Sequence, residues 1–414
     1  MAQANGVSKP AVSATAATDP AAVPALIKEI AALGENFTDG SDEDVRLDLL
    51  IKARTLWKAL ETPRETMIRH CWAQPAAFTA LTAGVEKGVW TYLAERDGPF
   101  KAAEVAKVKE IDPPLLSRLM RHVAAMGYLK EVGPDTYEST NFTRSLAVPI
   151  IGDGYPCISG GCLAALDQFH IWANKTGWKT PNSISDGSYQ LAYNTELNFF
   201  QYLQANNPLG FQFNHHMGGY HQGRPSWMDA GFFPVKERLV EGFDKSEGSA
   251  MIVDVGGSYG HDLEEFCAKH PDVPGRLILQ DLPIVIDQVK KLDARIEPMS
   301  YDFLTEQPVN GARAYFMHSV LHDWPDEMCL KILANITAAM KPGYSKILIN
   351  ENVVPDTGAQ WEATALDIMM LTLLSSRERT RENWQDLLTQ AELKITKIWT
   401  VRNGAESLIE CELA

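Results

Sequence analysis

The order of apolar and polar positions divides the chain into a helical part and a part in which strands and helices alternate. Before residue 246, apolar residues recur at helical spacing, for example over 25–33, 42–60 and 78–93. From Ala250 onward, short continuous apolar runs alternate with amphipathic segments. Such runs are typical of parallel strands that helices cover on both faces. The pattern therefore predicts an α/β domain behind a mostly helical N-terminal part.

Changes of pattern and composition indicate four regions. Residues 1–23, rich in Ala, Ser, Thr and Pro, are predicted to form a disordered tail. Residues 24–150 are predicted to form a helical domain, in which two helices and a hairpin at 102–138 have the outline of a winged helix. Residues 151–246 are helical and rich in aromatic side chains, and residues 247–414 are assigned to the α/β domain.

Individual elements of the α/β domain follow from the same pattern. Strands are predicted at 250–255, 276–280, 312–317 and 346–349, helices at 262–269, 284–292, 326–340, 363–374 and 381–391, and a terminal hairpin at 395–401 and 406–412. The carboxyl ends of parallel strands meet at one edge of such a sheet, which is where doubly wound folds bind their ligands.

Charge and cysteine content narrow the choice of partners. The formal net charge of −15 argues against nucleic acid or an anionic membrane, because both require a basic face. The recognition helix of a DNA-binding winged helix would carry only Arg118, Arg121 and His122 here, so a dimerisation or packing role is favoured. Six cysteines without a C-x-x-C pair suit neither a disulfide scaffold nor a zinc site.

The same features suggest a location. Few cysteines in a long chain favour a reducing, cytoplasmic setting, and no metal is expected. No apolar run approaches the roughly 18 residues of a membrane span, so no membrane partner is expected. The first 23 residues also lack the apolar block of a signal peptide.

A glycine-rich loop, Asp254–Gly260 with the sequence D-V-G-G-S-Y-G, connects the first predicted strand to its helix. Glycines such as Gly256 and Gly257 let a ligand come close to the backbone. Asp281 directly follows the strand at 276–280, and Asp302 is taken to follow a further strand that precedes the one at 312–317. At such strand ends a carboxylate can accept ribose hydroxyls or reach the adenine edge. Together these positions predict a Rossmann-like site for an adenosine-containing cofactor.

Two cofactor classes and a turn without a ligand compete for this loop. NAD-binding loops usually read G-x-G-x-x-G and place the pyrophosphate at a helix N-terminus. This loop reads G-G-x-x-G and opens with Asp254, whose carboxylate would repel pyrophosphate but could lie near the ammonium group of a methionine moiety. S-adenosyl-L-methionine is therefore favoured over NAD and over an empty turn.

A candidate catalytic set follows the later strands. His322, in the sequence H-D-W, comes after the strand at 312–317. Glu351 follows the strand at 346–349, and Glu378 lies in R-E-R-T between two helices. A histidine alone at such a position is more often structural, but two carboxylates able to surround it favour a proton acceptor.

These motifs resemble those of the plant and fungal small-molecule O-methyltransferases of the caffeic acid and sterigmatocystin type. The resemblance covers roughly residues 75–414 and is strongest at 254–257, 281–283, 322–324, Glu351 and 377–380. It implies that S-adenosyl-L-methionine is the cofactor and that a hydroxyl of a small aromatic or polyketide-like molecule is methylated. It further implies that the N-terminal winged helix forms an intertwined homodimer and contributes to the partner's substrate pocket.

The resemblance also assigns roles to residues. It implies that His322 is the general base and that Glu351 and Glu378 orient it. The residues implied to hold the cofactor are Asp254, Gly256, Gly257, Asp281, Leu282, Asp302, Phe303 and His318. In many plant members a lysine stands where this chain has His318, which is expected to line the adenine pocket. The pair Ser375–Ser376 replaces glycines that usually precede the Glu378 motif, and the N-terminal extension looks fungal.

The residue types fit methyl transfer to oxygen on chemical grounds. A neutral phenol is a poor nucleophile, so a base must accept its proton. The gap between a phenol and a histidine is about 3.5 pKa units, or roughly 5 kcal/mol. A carboxylate on the far nitrogen of the imidazole and a nearby sulfonium charge both narrow that gap.

A different reaction class remains open. Some fungal proteins of this fold bind S-adenosyl-L-methionine and catalyse pericyclic or dehydration steps without transferring its methyl group. The charge of the cofactor then stabilises the transition state. The cofactor loop is common to both classes, whereas His322, Glu351 and Glu378 together favour methylation.

Candidate acceptor contacts come from the helical region and from the helix before Glu378. They are Phe169, His170, Trp172, Met217, Met369 and Met370. Methionine suits an aromatic face, but both methionines at 369 and 370 lie in an apolar helix, where core packing is an equally good explanation.

Overall fold

The structure is a computed structural model that describes residues 12–35, 37–38, 43–220, 223–402 and 406–414. The chain divides into two compact units, Met1–Val148 and Pro149–Ala414. Residues 1–11 of the predicted tail lie outside the described residues. In the remainder of that tail, the backbone N–H groups of Thr18 and Asp19 donate to the carbonyl oxygens of Glu61 and Ala59.

The first unit is mainly helical and contains a small antiparallel sheet. Its described helices are α1 (Val23–Gly34), α2 (Glu43–Leu60), α3 (Pro63–Ile68), α4 (Gln74–Glu86), α5 (Val89–Ala94), α6 (Ala102–Lys109), α7 (Pro113–Ala125) and α8 (Asn141–Ser145), with a π-helical turn at Arg69–Ala73. Its strands are β1 (Phe100–Lys101), β2 (Leu129–Gly133) and β3 (Thr136–Ser139), in the order β1-β3-β2. The two helices and the hairpin expected at 102–138 are therefore present.

One predicted helix of this unit is two helices. The pattern at 78–93 predicts a continuous helix, but α4 ends at Glu86 and α5 begins at Val89. Gly88 separates them with a φ of 61°, a left-handed conformation that glycine adopts without strain. The indole N–H of Trp90 then donates to the carbonyl oxygen of Leu81 at 2.9 Å, which joins the two helices.

The second unit begins with helices and continues as an α/β sheet. The described helices before the sheet are α9 (Pro149–Gly152), α10 (Gly154–Gly161), α11 (Leu163–Thr176), α12 (Ser188–Tyr193), α13 (Phe199–Ala205) and α14 (Leu209–Tyr220), followed by a π-helical turn at Lys236–Val240. The later elements are β4 (Ala250–Val255), α15 (His261–Lys269), β5 (Arg276–Asp281), α16 (Pro283–Ile286), β6 (Ile296–Ser300), β7 (Ala314–His318), α17 (Asp326–Ala339), β8 (Lys346–Glu351), β9 (Val353–Val354), α18 (Trp361–Leu374), β10 (Arg379–Thr380), α19 (Arg381–Gln390), β11 (Leu393–Trp399) and β12 (Ser407–Leu413).

Seven strands of the described residues form the main sheet, in the order β11-β12-β8-β7-β4-β5-β6. The strands from β8 to β6 are parallel, and β12 runs antiparallel to both β8 and β11, as the predicted terminal hairpin requires. Alternate residues of a strand point to opposite faces. Val253 and Val255 belong to one buried cluster with Ile332 of α17, whereas Ile252 belongs to a second cluster with Phe266 of α15. Helices thus cover both faces of the sheet.

The predicted length of one helix in this domain was wrong. The helix expected at 284–292 ends at Ile286 as the short α16. Its first residues, Ile284, Val285 and Ile286, are β-branched, and such side chains lose rotamer freedom in a helix. The chain leaves the helix through a turn in which the N–H of Gln288 donates to the carbonyl oxygen of Val285.

Candidate active site

The glycine loop between β4 and α15 presents bare backbone at the carboxyl edge of the sheet. Gly256 has a φ of 79°, which favours glycine. The N–H groups of Gly256 and Gly257 both donate to the carbonyl oxygen of Gln280, at 2.8 and 3.1 Å, and so hold the loop to β5. A Cβ at position 257 would lie 2.4 Å from a carboxylate oxygen of Asp254. Glycine is therefore required where the loop crosses that acid.

The carboxylate of Asp254 is fully buried beneath this loop, with 0% of the residue exposed. Neither of its oxygens has a hydrogen-bond partner among the described residues. Burial, together with the nearby Asp262, raises the pKa of Asp254 well above its ordinary value. A buried polar group without a partner is costly. The bare glycine surface and this acid fit a cofactor whose methionine moiety carries an ammonium group.

Asp281 is fixed in the position expected for a ribose contact. It ends β5, and its two carboxylate oxygens accept from the N–H of Ser258 at 2.8 Å and from the N–H of Leu282 at 2.7 Å. Burial raises the pKa of the Asp281 carboxyl, which these two N–H groups partly oppose. The side chain of Leu282 is exposed beside it. The acid is therefore oriented by the glycine loop itself.

Asp302 and Phe303 follow β6 at the same edge. Asp302 is exposed and accepts from the N–H of Leu304 at 3.0 Å. The ring of Phe303 lies near the glycine loop, because a Cβ at Gly256 would be 4.0 Å from its Cε1. The structure therefore brings the predicted nucleoside residues 281, 302 and 303 to the edge that carries the loop.

His318 ends β7 between two carboxylates. Its Nδ1 lies 2.9 Å from Asp262, and its Nε2 lies 2.9 Å from Glu406. Burial alone would lower the pKa of His318, but the two carboxylates raise it well above the ordinary value. Both ring nitrogens thus have acidic protein partners, and the expected contact of His318 with the adenine stays a prediction.

The catalytic turn, defined here as residues 321–324, follows β7 and contains one turn of 3₁₀ helix at Leu321–Asp323. His322 is buried, with 7% of the residue exposed. Its Nδ1 lies 2.7 Å from Oε1 of Glu378, and its Nε2 lies 3.5 Å from Oδ1 of Asp323. The imidazole is therefore bonded to Glu378 at Nδ1 and makes a longer contact with Asp323 at Nε2.

Glu351 supports the same turn from β8. One of its carboxylate oxygens accepts from the N–H of Leu321 at 2.7 Å, and the other has no hydrogen-bond partner among the described residues. Burial raises the pKa of Glu351 to about 7, although His322 opposes the shift. The structure therefore brings all three predicted catalytic residues, His322, Glu351 and Glu378, into one buried cluster.

The electrostatics of this cluster favour a protonated imidazole. Burial would lower the pKa of His322, but Asp323, Glu378 and Glu351 more than reverse that effect and raise it to about 10. Burial in turn raises the pKa of Asp323 to about 6, against the effect of His322. The sequence analysis named Asp323 only as part of the H-D-W motif and assigned it no role. Its position directly after His322 in the sequence was the signal that could have indicated a role beside the imidazole.

Aromatic side chains surround the catalytic turn. The ring of Trp324 stacks on Phe200 of α13 at a centroid distance of 6.4 Å and meets Phe303 edge-on at 5.7 Å. Trp324 and Phe200 were not among the predicted site residues. The H-D-W motif pointed to Trp324, whereas Phe200 lies far away in sequence and gave no comparable signal.

The predicted acceptor residues are spread over several helices. Phe169 and Trp172 stack on each other on α11 at 6.1 Å, and His170 on the same helix is exposed. Met370 is part of a buried cluster with Tyr189 and Phe199, as core packing requires, and Met369 packs against that cluster. None of these five positions on α11 and α18 has a hydrogen bond or ring contact with His322 among the described residues, so their contact with the acceptor stays a prediction.

Helix α14 connects the aromatic region with the glycine loop. The side-chain amide of Asn214 donates to the hydroxyl of Tyr259 at 2.8 Å, and the ring of Phe213 meets Phe200 edge-on at 6.3 Å. Met217, a predicted acceptor residue, lies on the same helix and is partly buried. Neither Asn214 nor Phe213 was predicted, because the sequence does not show which face of this helix points to the loop.

Among the described residues, no group of three or more His, Cys, Asp or Glu side chains could hold a metal ion. Within these same ranges, every helix is too short or too polar to cross a membrane. All six cysteines are described, and none is in a disulfide.

Comparison with known proteins gives a consistent result. A family model for an O-methyltransferase domain matches residues 232–394. O-methyltransferase mpaG of Penicillium roqueforti is 36% identical over 395 residues, which cover 95% of this chain and 99% of that protein. Demethylsterigmatocystin 6-O-methyltransferase of Aspergillus parasiticus is 37% identical over 322 residues, covering 76% of this chain and 80% of that protein.

Solved structures agree over nearly the whole chain. A pericyclic reaction enzyme and LepI in complex with SAM each match with a TM-score of 0.85 and 29% identity, covering 95% of this chain and 99% of theirs. The α/β Rossmann-like fold expected from the sequence is thereby confirmed.

Proposed function

The chain belongs to the O-methyltransferase family, and we propose that it methylates a phenolic hydroxyl of a small aromatic, polyketide-like metabolite with His322 as the general base. It is an O-methyltransferase that depends on S-adenosyl-L-methionine. The observation that carries the proposal for His322 is its 2.7 Å contact through Nδ1 with the buried Glu378, whereas Nε2 makes only the longer, 3.5 Å contact with Asp323 among the described residues.

One group of residues would bind the cofactor, and a second group would accept the proton of the acceptor hydroxyl. Bound S-adenosyl-L-methionine supplies an electrophilic methyl group on a sulfonium centre. Gly256, Gly257 and Asp281 would hold the cofactor at the sheet edge, and the buried carboxylate of Asp254 would offer a partner to the ammonium group of its methionine moiety. His322 accepts the hydroxyl proton at Nε2, and Glu378 stabilises the resulting imidazolium at Nδ1. Burial of this cluster excludes water from the developing phenolate.

The raised pKa of His322 suits a phenol. A pKa of about 10 for the imidazole equals that of an unperturbed phenol, about 10. Proton transfer from a phenol to the neutral imidazole is then close to neutral in free energy, whereas it costs roughly 5 kcal/mol for an ordinary histidine. Below pH 10 the imidazole must first lose its own proton before it can act as the base. A sulfonium charge nearby opposes the imidazolium and so increases the fraction of neutral imidazole. A phenolic acceptor is therefore favoured over an alcohol, whose hydroxyl is far less acidic.

The name of one relative supports the acceptor class. The Aspergillus parasiticus protein is named a demethylsterigmatocystin 6-O-methyltransferase. The stacked rings of Trp324 and Phe200 beside His322 offer an aromatic surface of the kind that a flat acceptor needs. The predicted contacts of Phe169, Trp172, Met217 and Met369 belong to this same proposal.

Methyl transfer is tested with isotope-labelled cofactor. Purified protein is incubated with methyl-labelled S-adenosyl-L-methionine and a panel of phenolic polyketides, and both labelled product and S-adenosylhomocysteine are quantified. We expect equal amounts of the two. Conversion of an acceptor without incorporation of label and without formation of S-adenosylhomocysteine would contradict methyl transfer. It would support the non-methylating reaction described next.

A non-methylating reaction is the second candidate, because a pericyclic reaction enzyme matches at a TM-score of 0.85. A protonated His322 could then donate a hydrogen bond to a carbonyl of the substrate. The two functions differ in pH dependence. A base gains activity as pH rises towards 10, whereas an imidazolium donor loses activity over the same range.

We also infer a homodimer formed through the N-terminal unit. Large apolar side chains are exposed on α2 and on the π-helical turn after α3, where Trp57 is 52% and Trp72 is 66% exposed. Exposed apolar patches of this kind mark interaction sites. We expect wild-type protein to elute as a dimer and a Trp57→Ser, Trp72→Ser double variant to elute as a monomer in size-exclusion chromatography with light scattering. A folded variant that remains a dimer would contradict this surface.

A further inference from the structure

Three backbone carbonyl groups of the catalytic turn, those of Leu321, His322 and Trp324, are bonded to side chains from one distant segment. This holding segment, residues 376–379, lies between the end of α18 and β10. Inside the turn, the N–H of Trp324 donates to the carbonyl oxygen of Leu321 at 3.3 Å, and the other buried carbonyls need donors from outside it. The oxygens of Leu321, His322 and Trp324 accept from Arg379 and Ser376. The thiol of Cys329 on α17 also donates to those of Leu321 and Trp324.

Arg379 supplies the first set of donors. It is fully buried, and its Nη1 donates to the carbonyl oxygen of Leu321 at 2.9 Å while its Nη2 donates to that of Trp324 at 3.1 Å. Nη2 and Nε also bond Oδ1 of Asp326, at 2.7 and 3.1 Å, which balances the buried charge. The planar guanidinium thus fixes the two ends of the turn relative to α17.

Ser376 supplies the donor at the centre of the turn. Its hydroxyl donates to the carbonyl oxygen of His322 at 2.5 Å and lies 2.8 Å from that of Trp324. Ser375 precedes it with a φ of 53°, a left-handed conformation that ends α18 and turns the chain towards 321–324. A glycine at position 376 would have no such hydroxyl, so this contact is a feature of this chain.

The same segment also holds the ring of His322. Glu378 lies between the two donors and binds Nδ1 of the imidazole. Its own N–H donates to Oδ1 of Asp367 on α18 at 2.9 Å. Backbone and ring of His322 are therefore both anchored to residues 376–379, so the imidazole cannot move relative to Glu378 without breaking contacts at both levels.

We propose that Ser376 and Arg379 are positioning residues, which hold the backbone of the catalytic turn so that the imidazole of His322 stays between Glu378 and Asp323 and faces the acceptor. The inference rests on the proposed function of His322. It matters for rate because methyl transfer requires oxygen and carbon in line at about 3 to 3.5 Å, and a misplacement of about 1 Å can cost on the order of 100-fold.

The test compares Ser376→Ala with Ser375→Ala. The two serines are adjacent, 5% and 6% exposed, and each variant removes one buried hydroxyl. Only the change at 376 removes a donor to the catalytic turn. The first readout is the titration of His322 by NMR of protein with ¹⁵N-labelled histidines, assigned among the ten histidines by comparison with His322→Gln. The second readout is the pH profile of kcat/KM.

We expect Ser376→Ala to lower the pKa of His322 by about one unit, because the imidazole moves away from its carboxylates. The acid limb of kcat/KM then moves to lower pH, and its plateau falls by about tenfold through misplacement. Ser375→Ala is expected to leave both unchanged. Equal titration of His322 in wild type, Ser376→Ala and Ser375→Ala would overturn the proposal, as would equal shifts in both variants.

Arg379→Lys provides a second variant with the charge preserved. A lysine cannot reproduce the planar fork that spans both carbonyl oxygens, so we expect the same direction of change in the pKa of His322. A folded Arg379→Lys protein with an unchanged His322 titration would count against the role of Arg379. The NMR titration requires neither cofactor nor acceptor, so it decides the positioning even if no methyl transfer is found.

Discussion

The glycine loop and the catalytic turn lie at the same edge of one sheet but are built in opposite ways. The loop is fixed by its own glycines and by the neighbouring strand, through Gln280 and Asp281. The catalytic turn is fixed by side chains more than 25 residues away, from Glu351 to Arg379. The loop is thus held mainly through backbone groups to one neighbouring strand, whereas the turn depends on side chains from several elements.

The difference follows from what each region must do. A cofactor needs open backbone, and small residues provide it wherever they stand. A base needs a controlled proton affinity, which charges on several surrounding elements provide. Substitutions in the loop should therefore affect cofactor binding, and substitutions around the turn should affect turnover.

The largest expected effect is on the turn. His322→Gln removes the proton acceptor, and general base catalysis typically contributes about 10²- to 10⁴-fold. We expect kcat to fall by about three orders of magnitude while the cofactor dissociation constant stays within about twofold. Steady-state kinetics and calorimetry measure the two separately. An equal loss of binding and turnover would indicate misfolding and remove the contrast between the two regions.

The next largest effect is expected in the glycine loop, on the affinity for the cofactor. In Gly257→Ala the added Cβ would lie 2.4 Å from the Asp254 carboxylate, so the loop must shift away from its place. We expect cofactor affinity to fall on the order of 100-fold, as for a displacement of about 1 Å. Gly34→Ala is the matched control, because nothing lies within 4 Å of its added Cβ. Unchanged cofactor affinity in Gly257→Ala would place the cofactor elsewhere.

A smaller effect is expected at the ribose position. Asp281→Ala removes a carboxylate whose hydrogen bonds to a ligand are worth about 1.5 to 3 kcal/mol, or about 10- to 100-fold in affinity. Asp302→Ala should cost less, because that acid is exposed. Turnover at saturating cofactor should stay within about threefold for both. Calorimetry that ranks the two acids in the reverse order would contradict the assignment of Asp281.

The sequence predicted the parts of the site that depend on local signals. Gly256, Gly257 and Asp281 follow from strand ends and loop composition, and the structure brings them to one edge. His322, Glu351 and Glu378 were found through motifs, and the structure places them together, with Glu378 bonded to His322 and Glu351 close enough to raise its pKa. The helices on both faces of the sheet also agree with the alternating pattern.

The remaining features depend on tertiary contacts that no local pattern contains. Ser376 and Arg379 reach the catalytic turn only because α18 ends where it does, and Phe200 meets Trp324 across 124 positions of sequence. The break of the helix at Gly88 and the early end of α16 depend on backbone conformation and β-branching, which weaken a helical pattern without erasing it.

The proton affinity of His322 is the quantity on which the account depends most directly. NMR titration of ¹⁵N-labelled histidines in cofactor-free protein measures it in wild type and in Glu378→Gln. With a pKa near 10, the imidazole should remain protonated through pH 8 in wild type, and neutralising Glu378 should lower that pKa by about a unit or more. A wild-type His322 that titrates near 6.5 and does not respond to Glu378→Gln would contradict the account.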